Sequence, residues 1–279
     1  DKDRVIAADI PPTAQRIKIP EPTPQTSLRA LQAIMRERSV MAALQVFHAE
    51  TGDIFQINAP RFHPVMLVGP AAARFVLVDT RENLRWRIDT DNVTKLLIHG
   101  VLVEDGDSHD SIRRSLRPAL HKQMLGGYVD SMVRCTDKVS MHWQNDVPQD
   151  MLVEMRKVAL LILMETLFGI DYSPEMRRLW WSVLYLIRYI SPGLWMFWSG
   201  APQPGYTKAR AMMDDYLLRI IAQRRAELAT QPDTTSTDML SMLILGGMDT
   251  PLIRDQLMTM LIAGHDTSTA SLAWALHML

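Results

Sequence analysis

Met260-Leu261-Ile262-Ala263-Gly264-His265-Asp266-Thr267-Ser268-Thr269-Ala270-Ser271-Leu272-Ala273-Trp274 is the stretch on which the reading of this chain turns. Its frame is that of one long helix. Thr250 is placed to cap it, and Pro251 to stand at its first position, where a missing N–H costs nothing. Leu252, Gln256, Thr259, Ala263, Thr267 and Ala270 recur at spacings of three and four, so they share one stripe. Carried from Pro251 to Leu279, the helix is about 40 Å long at 1.5 Å per residue, enough to cross a whole domain.

In its middle the sequence turns against the helix. Gly264 costs about 1 kcal/mol relative to Ala, and Asp266, Thr267, Ser268 and Thr269 compete for backbone hydrogen bonds. A local conflict inside a strong helix marks a candidate functional site. Ala263 and Thr267 lie at i and i+4, so the Thr267 hydroxyl is expected to reach the Ala263 carbonyl and open the helical ladder into a groove. Small Ala263 and Gly264 would let a flat body approach the backbone, with Asp266 and Thr267 supplying an acid and an alcohol beside it. A buried helix that tolerates one Gly and returns its hydroxyls to its own carbonyls accounts for the same residues and stays open at this point.

Composition bounds the alternatives. The chain has 279 residues with Lys+Arg 30 against Asp+Glu 31, a net charge of −1. That balance carries no global basic footprint for nucleic acid. One cysteine, Cys135, allows neither an intramolecular disulfide nor a multi-cysteine zinc site, which fits a reducing compartment. No apolar run reaches a membrane span, and the N-terminal Asp1-Lys2-Asp3-Arg4 is no signal peptide, so a cytoplasmic protein without a transmembrane segment is expected. No linker-like break divides the chain, so residues 1–279 are expected to form one domain, with residues 1–26 as a Pro-rich N-terminal arm. The chain lacks an initiator Met and stops inside or just after a helix, which reads as a piece clipped at both ends.

From Ser27 the spacing predicts a helix running to about Glu50, ended by Gly52. Residues 53–58 and 63–68 read as two short strands around a turn at 58–61. Beyond Gly69-Pro70 helices are predicted near 70–79, 91–99, 108–124, 127–145, 150–168, 174–190, 205–229, 237–245 and 251–279. The fold class is mainly α with a small β hairpin, an α+β arrangement.

A second constellation lies upstream. Gly106, His109 and Arg113 open a basic helix that continues through Arg114, Arg117 and Lys122. His109 and Arg113 are one turn apart and share a face, a spacing that suits a pair of carboxylates. A solvated basic helix face is the bland alternative.

With both constellations in view, the chain resembles the cytochrome P450 family, the haem-thiolate monooxygenases. Ala263-Gly264-His265-Asp266-Thr267-Ser268 fits the family's central-helix motif at each position, and Gly106, His109 and Arg113 fit its propionate-binding helix. The element order, helix, hairpin, short helix and then many helices, is also that fold's opening, and the resemblance covers the N-terminal half of the family or a little more. It implies a haem b cofactor with His109, Arg113, Ala263 and Gly264 beside it. It implies dioxygen as co-substrate, an apolar small-molecule substrate, and electrons from NAD(P)H through a ferredoxin, flavodoxin or reductase partner. Thr267 would then donate a hydrogen bond to the activated oxygen and order water, and Asp266 would link that water to bulk protons. Ile98, Val101 and Leu102, in the variable segment from Ile88 to Val103, would contact substrate.

The family's thiolate loop and Glu-x-x-Arg helix lie beyond Leu279, so no residue here is assigned as a metal ligand. Cys135 is expected to be a small semi-buried residue, and the chain alone to be inactive. A non-catalytic helical binding protein using the same groove is the second reading, and weak haem binding through a histidine a remote third. His265, at the motif's free position, reads as structural. Trp180, Trp181, Trp195 and Trp198 crowd with Tyr185, Tyr189 and Phe197 before a loop at 200–205. They fit an apolar lid over substrate, ordinary helix packing, or an interfacial patch.

Overall fold

A computed structural model of the chain describes residues 18–58, 63–80, 91–191, 201–230 and 238–279. It divides into two compact units, Asp1–Leu84 and Arg85–Leu279.

In the first unit the single helix expected from Ser27 is two. Helix α1 (Pro24–Glu37) is capped by Thr23, whose hydroxyl accepts from the Thr26 N–H, and Ser27 lies inside the first turn. The Pro-rich arm therefore ends earlier than expected, since Pro24 opens the helix where its missing N–H is harmless. Arg38 then turns left-handed (φ 51°), and Ser39 caps α2 (Val40–Thr51). Gly52 ends α2 at φ 86°, donating its N–H to the His48 carbonyl.

The hairpin is shorter than expected but in place. Strand β1 (Ile54–Gln56) pairs antiparallel with β2 (Val65–Leu67), Phe55 opposite Met66. Phe55 is buried against Phe47, with ring centroids 6.1 Å apart. Most of the turn expected at 58–61 lies outside the described residues. Helix α3 (Pro70–Arg74) loosens into a π turn at Phe75–Asp79.

The second unit is all helix among its described residues: α4 (Asn92–Leu97), α5 (Gly106–Leu116) with a 3₁₀ turn at Arg117–Leu120, α6 (Lys122–Ser140), α7 (Met151–Phe168), α8 (Ser173–Ile190), α9 (Tyr206–Thr230), α10 (Met239–Leu245) and α11 (Thr250–Met278). The expected helix at 108–124 breaks at Pro118, which lies in the 3₁₀ turn. Helix α7 is apolar nearly all round, the pattern of a helix buried within a domain. Leu160 and Met164 are fully buried in it. Asp150 caps its start, accepting from the Leu152 and Val153 N–H groups. Gly169 in the left-handed region (φ 63°) closes its end, with the Ile170 N–H returning to the Met164 carbonyl.

Helix α11 is the axis of this unit. It packs on α7, α9, α8, α10 and α4, so its first half is buried on every side. Ile253, Leu257 and Met258 are inaccessible and merge with Leu217 and Ile221 of α9. Among the described residues no helix is long and apolar enough to cross a membrane.

Candidate active site on the central helix

Helix α11 starts one residue earlier than its sequence pattern predicts. Asp249, not Thr250, is the cap: its Oδ1 accepts from the Leu252 N–H at 2.9 Å, and Pro251 takes the second helical position. Asp exceeds Thr here because its carboxylate also favours the positive end of the helix dipole.

The Thr267 hydroxyl donates to the Ala263 carbonyl at 2.8 Å, as the i to i+4 spacing predicts. The ladder nevertheless does not open, and the helix runs unbroken from Thr250 to Met278. A carbonyl has two lone pairs, so it accepts a side-chain hydroxyl alongside its backbone N–H. Thr259 and Thr269 bond back in the same way to the Asp255 and His265 carbonyls. What distinguishes Thr267 is exposure: Asp266, Thr267 and Ser268 are open, whereas Thr259 and Thr269 are buried. An acid and an alcohol thus stand adjacent and accessible beside half-buried Ala263.

The space that a side chain on Gly264 would take is filled by α7. A Cβ there would lie 2.5 Å from Leu163 Cδ1 of α7, so the glycine serves helix crossing. Sequence reasoning could not distinguish close approach of a neighbouring helix from close approach of a cofactor.

His265, expected to be structural, is an interior residue. It is fully buried, and neither ring nitrogen has a hydrogen-bond partner among the described residues. Burial pushes its pKa below the ordinary histidine value; Asp266 and the Arg156 carbonyl pull it up, and the Arg156 charge adds to the depression. Arg156 Nε, on α7, is buried without a partner as well.

The stripe predicted from Leu252 to Ala270 has a clear occupant at its N-terminal end. Gln256 and Thr259, both inaccessible, face the turn that follows α4. Gln256 Oε1 accepts from the Val101 N–H at 2.9 Å, and its Nε2 donates to the His99 carbonyl at 2.8 Å. Asp255 Oδ2 accepts from the His99 N–H at 3.2 Å. Gly100 abuts Thr259 so closely that a Cβ would lie 1.8 Å from its Oγ1. The three expected substrate contacts are all on this turn: Ile98 and Leu102 are exposed and Val101 is half-buried against the core. Asp255, Gln256 and Gly100 went unnoticed as a set. Their legible signal was the polar run Arg254-Asp255-Gln256 in the half of the helix that is buried on every side.

On α5, His109 is half-buried and its Nδ1 lies 3.0 Å from Asp110 Oδ1. Arg113 is exposed and makes no ion pair among the described residues, which leaves it a cation available to an anionic group. Arg114, Arg117 and Lys122 are exposed too. A neighbouring face of α5, through Ser108, Ser111 and Ile112, closes a cleft of about 410 Å³ with His99, Leu252 and Asp255. No hydrogen bond or ion pair among the described residues joins His109 or Arg113 to Ala263–Thr267, so the two motifs share a unit without a direct link.

Cys135 is more buried than expected, at 1% exposure. Its thiol donates to Glu165 Oε2 at 3.2 Å, while Arg134 pairs with Oε1 at 2.6 Å. Burial and then the Glu165 hydrogen bond push the thiol up to about 12. Among the described residues no group of three His, Cys, Asp or Glu is placed to hold a metal ion.

The aromatic cluster resolves in part. Trp181 and Tyr185 are exposed, whereas Tyr189 is buried and stacks on Tyr206 with centroids 3.5 Å apart, an ordinary packing role. Trp195, Phe197 and Trp198 lie outside the described residues.

Comparison with known proteins bears on the family and the fold. Residues 20–279 match the family described as Cytochrome P450. Cytochrome P450 135A1 of Mycobacterium tuberculosis is 27% identical over 268 residues, covering 89% of this chain and 58% of that protein. The cyclooctat-9-en-7-ol 5-monooxygenase of Streptomyces melanosporofaciens is 24% identical over 249 residues, 82% of this chain and 51% of that one. Among solved structures, retinoic acid-bound cyanobacterial CYP120A1 superposes with a TM-score of 0.64 at 20% identity, covering 82% of this chain and 52% of the other. The chain thus spans about half the length of the curated relatives it matches.

Proposed function

The chain belongs to the cytochrome P450 family, and from that premise we propose that it forms the oxygen-side portion of a haem-dependent monooxygenase acting on an apolar organic substrate. The observation that carries this reading is the exposed Thr267 hydroxyl on the Ala263 carbonyl, with the Asp266 carboxylate next to it on an unbroken helix.

Haem b, when bound, would supply the oxygen-activating chemistry that inserts one oxygen atom into the substrate. The balance is one dioxygen, two electrons and two protons in, and one oxygenated substrate and one water out. The electrons come from NAD(P)H through a ferredoxin, flavodoxin or reductase. The residues of this chain bind, orient and move protons. Arg113, uncommitted to any carboxylate of the described residues, and His109 one turn before it would hold the haem propionates through charge-assisted bonds. Thr267, anchored through its own proton to Ala263, accepts and orders a water above half-buried Ala263. Asp266 passes a proton from solvent to that water. On the side where a Cβ would stand Gly264 meets Leu163, so it would meet the cofactor only through its backbone.

Cys135 does not fit the thiolate. Its thiol is buried, bonded to Glu165 and protonated far above neutral pH, so the iron ligand comes from a cysteine outside these 279 residues. For these residues alone, that same observation favours a second reading, a non-catalytic small-molecule binder in the same groove.

The test is Thr267→Ala in the full-length parent enzyme. Haem content should hold while reducing equivalents divert from product to hydrogen peroxide. Unchanged coupling of NAD(P)H consumption to product would sink the role of Thr267.

A further inference from the structure

Ile98 stands in a backbone conformation that a β-branched residue rarely adopts, φ 55° and ψ −85°. This is close to the centre of a γ-turn of positive φ, which is strained even for less hindered side chains. Strain of this kind persists only where the surroundings over-determine it. Here they do. The Ile98 N–H is held by the Thr94 carbonyl at 2.8 Å, and the Gly100 N–H by Leu97 at 2.8 Å. Three further main-chain groups are taken by two side chains of α11: His99 N–H by Asp255, His99 carbonyl by Gln256, Val101 N–H by Gln256.

The clamp itself is fixed from behind. Asp255 Oδ1 accepts from Arg254 Nη1 at 2.5 Å, and Arg254 Nη2 pairs with Asp214 of α9. Arg254 and Asp255 side chains are 8% and 5% exposed, so both are committed within the protein. The His99 ring, pointing the other way, pairs with Glu104 at 2.7 Å.

Such an investment in five residues of irregular chain needs a reason beyond holding a loop. Gln256 and Thr259 lie on the same helical stripe as Ala263 and Thr267. From Gln256 the rise to Ala263 is about 10 Å, and from Thr259 about 6 Å. The strained turn is therefore a wall fixed along the face that leads to the acid and alcohol, with two apolar side chains, Ile98 and Leu102, left exposed on it.

We propose that Asp255 and Gln256 are positioning residues for substrate selection: by clamping the main chain of His99 and Val101 they hold Ile98 in its strained conformation and fix where Ile98 and Leu102 meet an apolar substrate. This rests on the monooxygenase reading above. It predicts that the clamp governs discrimination by size along the stripe, rather than oxygen chemistry or cofactor retention.

The experiment uses the full-length holoenzyme and two azoles that bind the haem iron, imidazole and the bulky clotrimazole, each followed by the shift of the haem absorption band. Imidazole, a single ring, presents far less apolar surface to the turn than clotrimazole does. In Gln256→Leu, which deletes both clamp bonds at nearly constant volume, clotrimazole should bind about tenfold more weakly while imidazole stays within about twofold. Ile98→Gly should raise the thermal midpoint by relieving the strain and should also weaken clotrimazole alone, which keeps the test decisive if Gln256→Leu does not fold. Equal weakening of both azoles, or unchanged clotrimazole binding in Ile98→Gly, overturns the inference. If neither azole shifts the band of the unmutated protein, the monooxygenase reading falls and takes this inference with it; if both bind but discrimination does not move, only the inference falls.

Discussion

Gly264 of α11 and Leu163 of α7 approach so closely that a Cβ on the glycine would stand 2.5 Å from Leu163 Cδ1. The two helices cross at this point, behind the exposed Asp266 and Thr267. A residue that weakens the helix locally is what lets it pack there.

Two effects oppose each other in Gly264→Ala. The helix gains about 1 kcal/mol of propensity, while overpacking costs about 1–3 kcal/mol because Leu163 is itself buried and cannot simply swing away. The clash should win, lowering the thermal midpoint by a few degrees. In a Leu163→Ala background the same substitution fills space and should become stabilising. A loss of equal size in both backgrounds would mean that Leu163 is not the obstacle.

Arg224 is the most heavily used cation among the described residues. From α9 it donates to Asp238 and Ser241 at 2.6 and 2.7 Å and to the Phe168 and Gly169 carbonyls at 3.2 Å. It thereby closes the end of α7 onto the start of α10, with its side chain 14% exposed. Removing it in Arg224→Met should cost about 1.5–3 kcal/mol, the loss of charge-assisted hydrogen bonds from a partly buried site whose Asp238 keeps other partners. Arg224→Lys should recover little, since a single ammonium cannot reach acceptors on both sides of the fork. Urea unfolding of the three proteins measures this directly; full recovery in the lysine variant would contradict it.

His265 predicts an acid-side loss of stability. Its folded pKa is depressed below 6.5, chiefly by burial, so the unfolded chain takes up the proton first as pH falls. Unfolding free energy rises with pH wherever the unfolded state holds more protons. The contribution is therefore complete above the unfolded value and is lost as pH drops below 6.5 through the folded value. His265→Phe should lose less stability than the unmutated protein when denaturation midpoints at about pH 7.5 and about pH 5.5 are compared. Identical losses would show that His265 does not carry the linkage.

Cys135, with its thiol pushed up to about 12 by burial and Glu165, should resist alkylation. At about pH 8 only about one molecule in ten thousand carries the thiolate. Iodoacetamide followed by peptide mass spectrometry should leave Cys135 unmodified in the folded protein and label it fully after denaturation. Rapid labelling of the native state would remove the argument that this thiol cannot ligate a metal.

The helical course of the second unit was legible because its signals are local. Gly169 and Ser173-Pro174 mark the end of α7 and the start of α8, and capping chemistry and proline placement act within four residues. Errors arose where two local signals competed, as at Ser27 against Thr23 and Thr250 against Asp249, each a choice between neighbouring caps. The Ala263–Thr267 hydrogen bond was likewise readable, because i to i+4 geometry is fixed by the helix itself.

What the amino-acid sequence determined by itself, then, was the order of helices, the single hairpin, the Ala263–Thr267 pair and the motifs that mark the family, all set by spacings along one chain. Only the tertiary structure decided which way each residue of those motifs faces its neighbours. It turned Gly264 to Leu163, sealed His265 and Cys135 in the interior, and brought Asp255 and Gln256 onto a turn more than 150 residues earlier in the chain. Such contacts depend on how buried helices pack, and packing is chosen by the whole set of side chains filling the core rather than by any spacing within one segment.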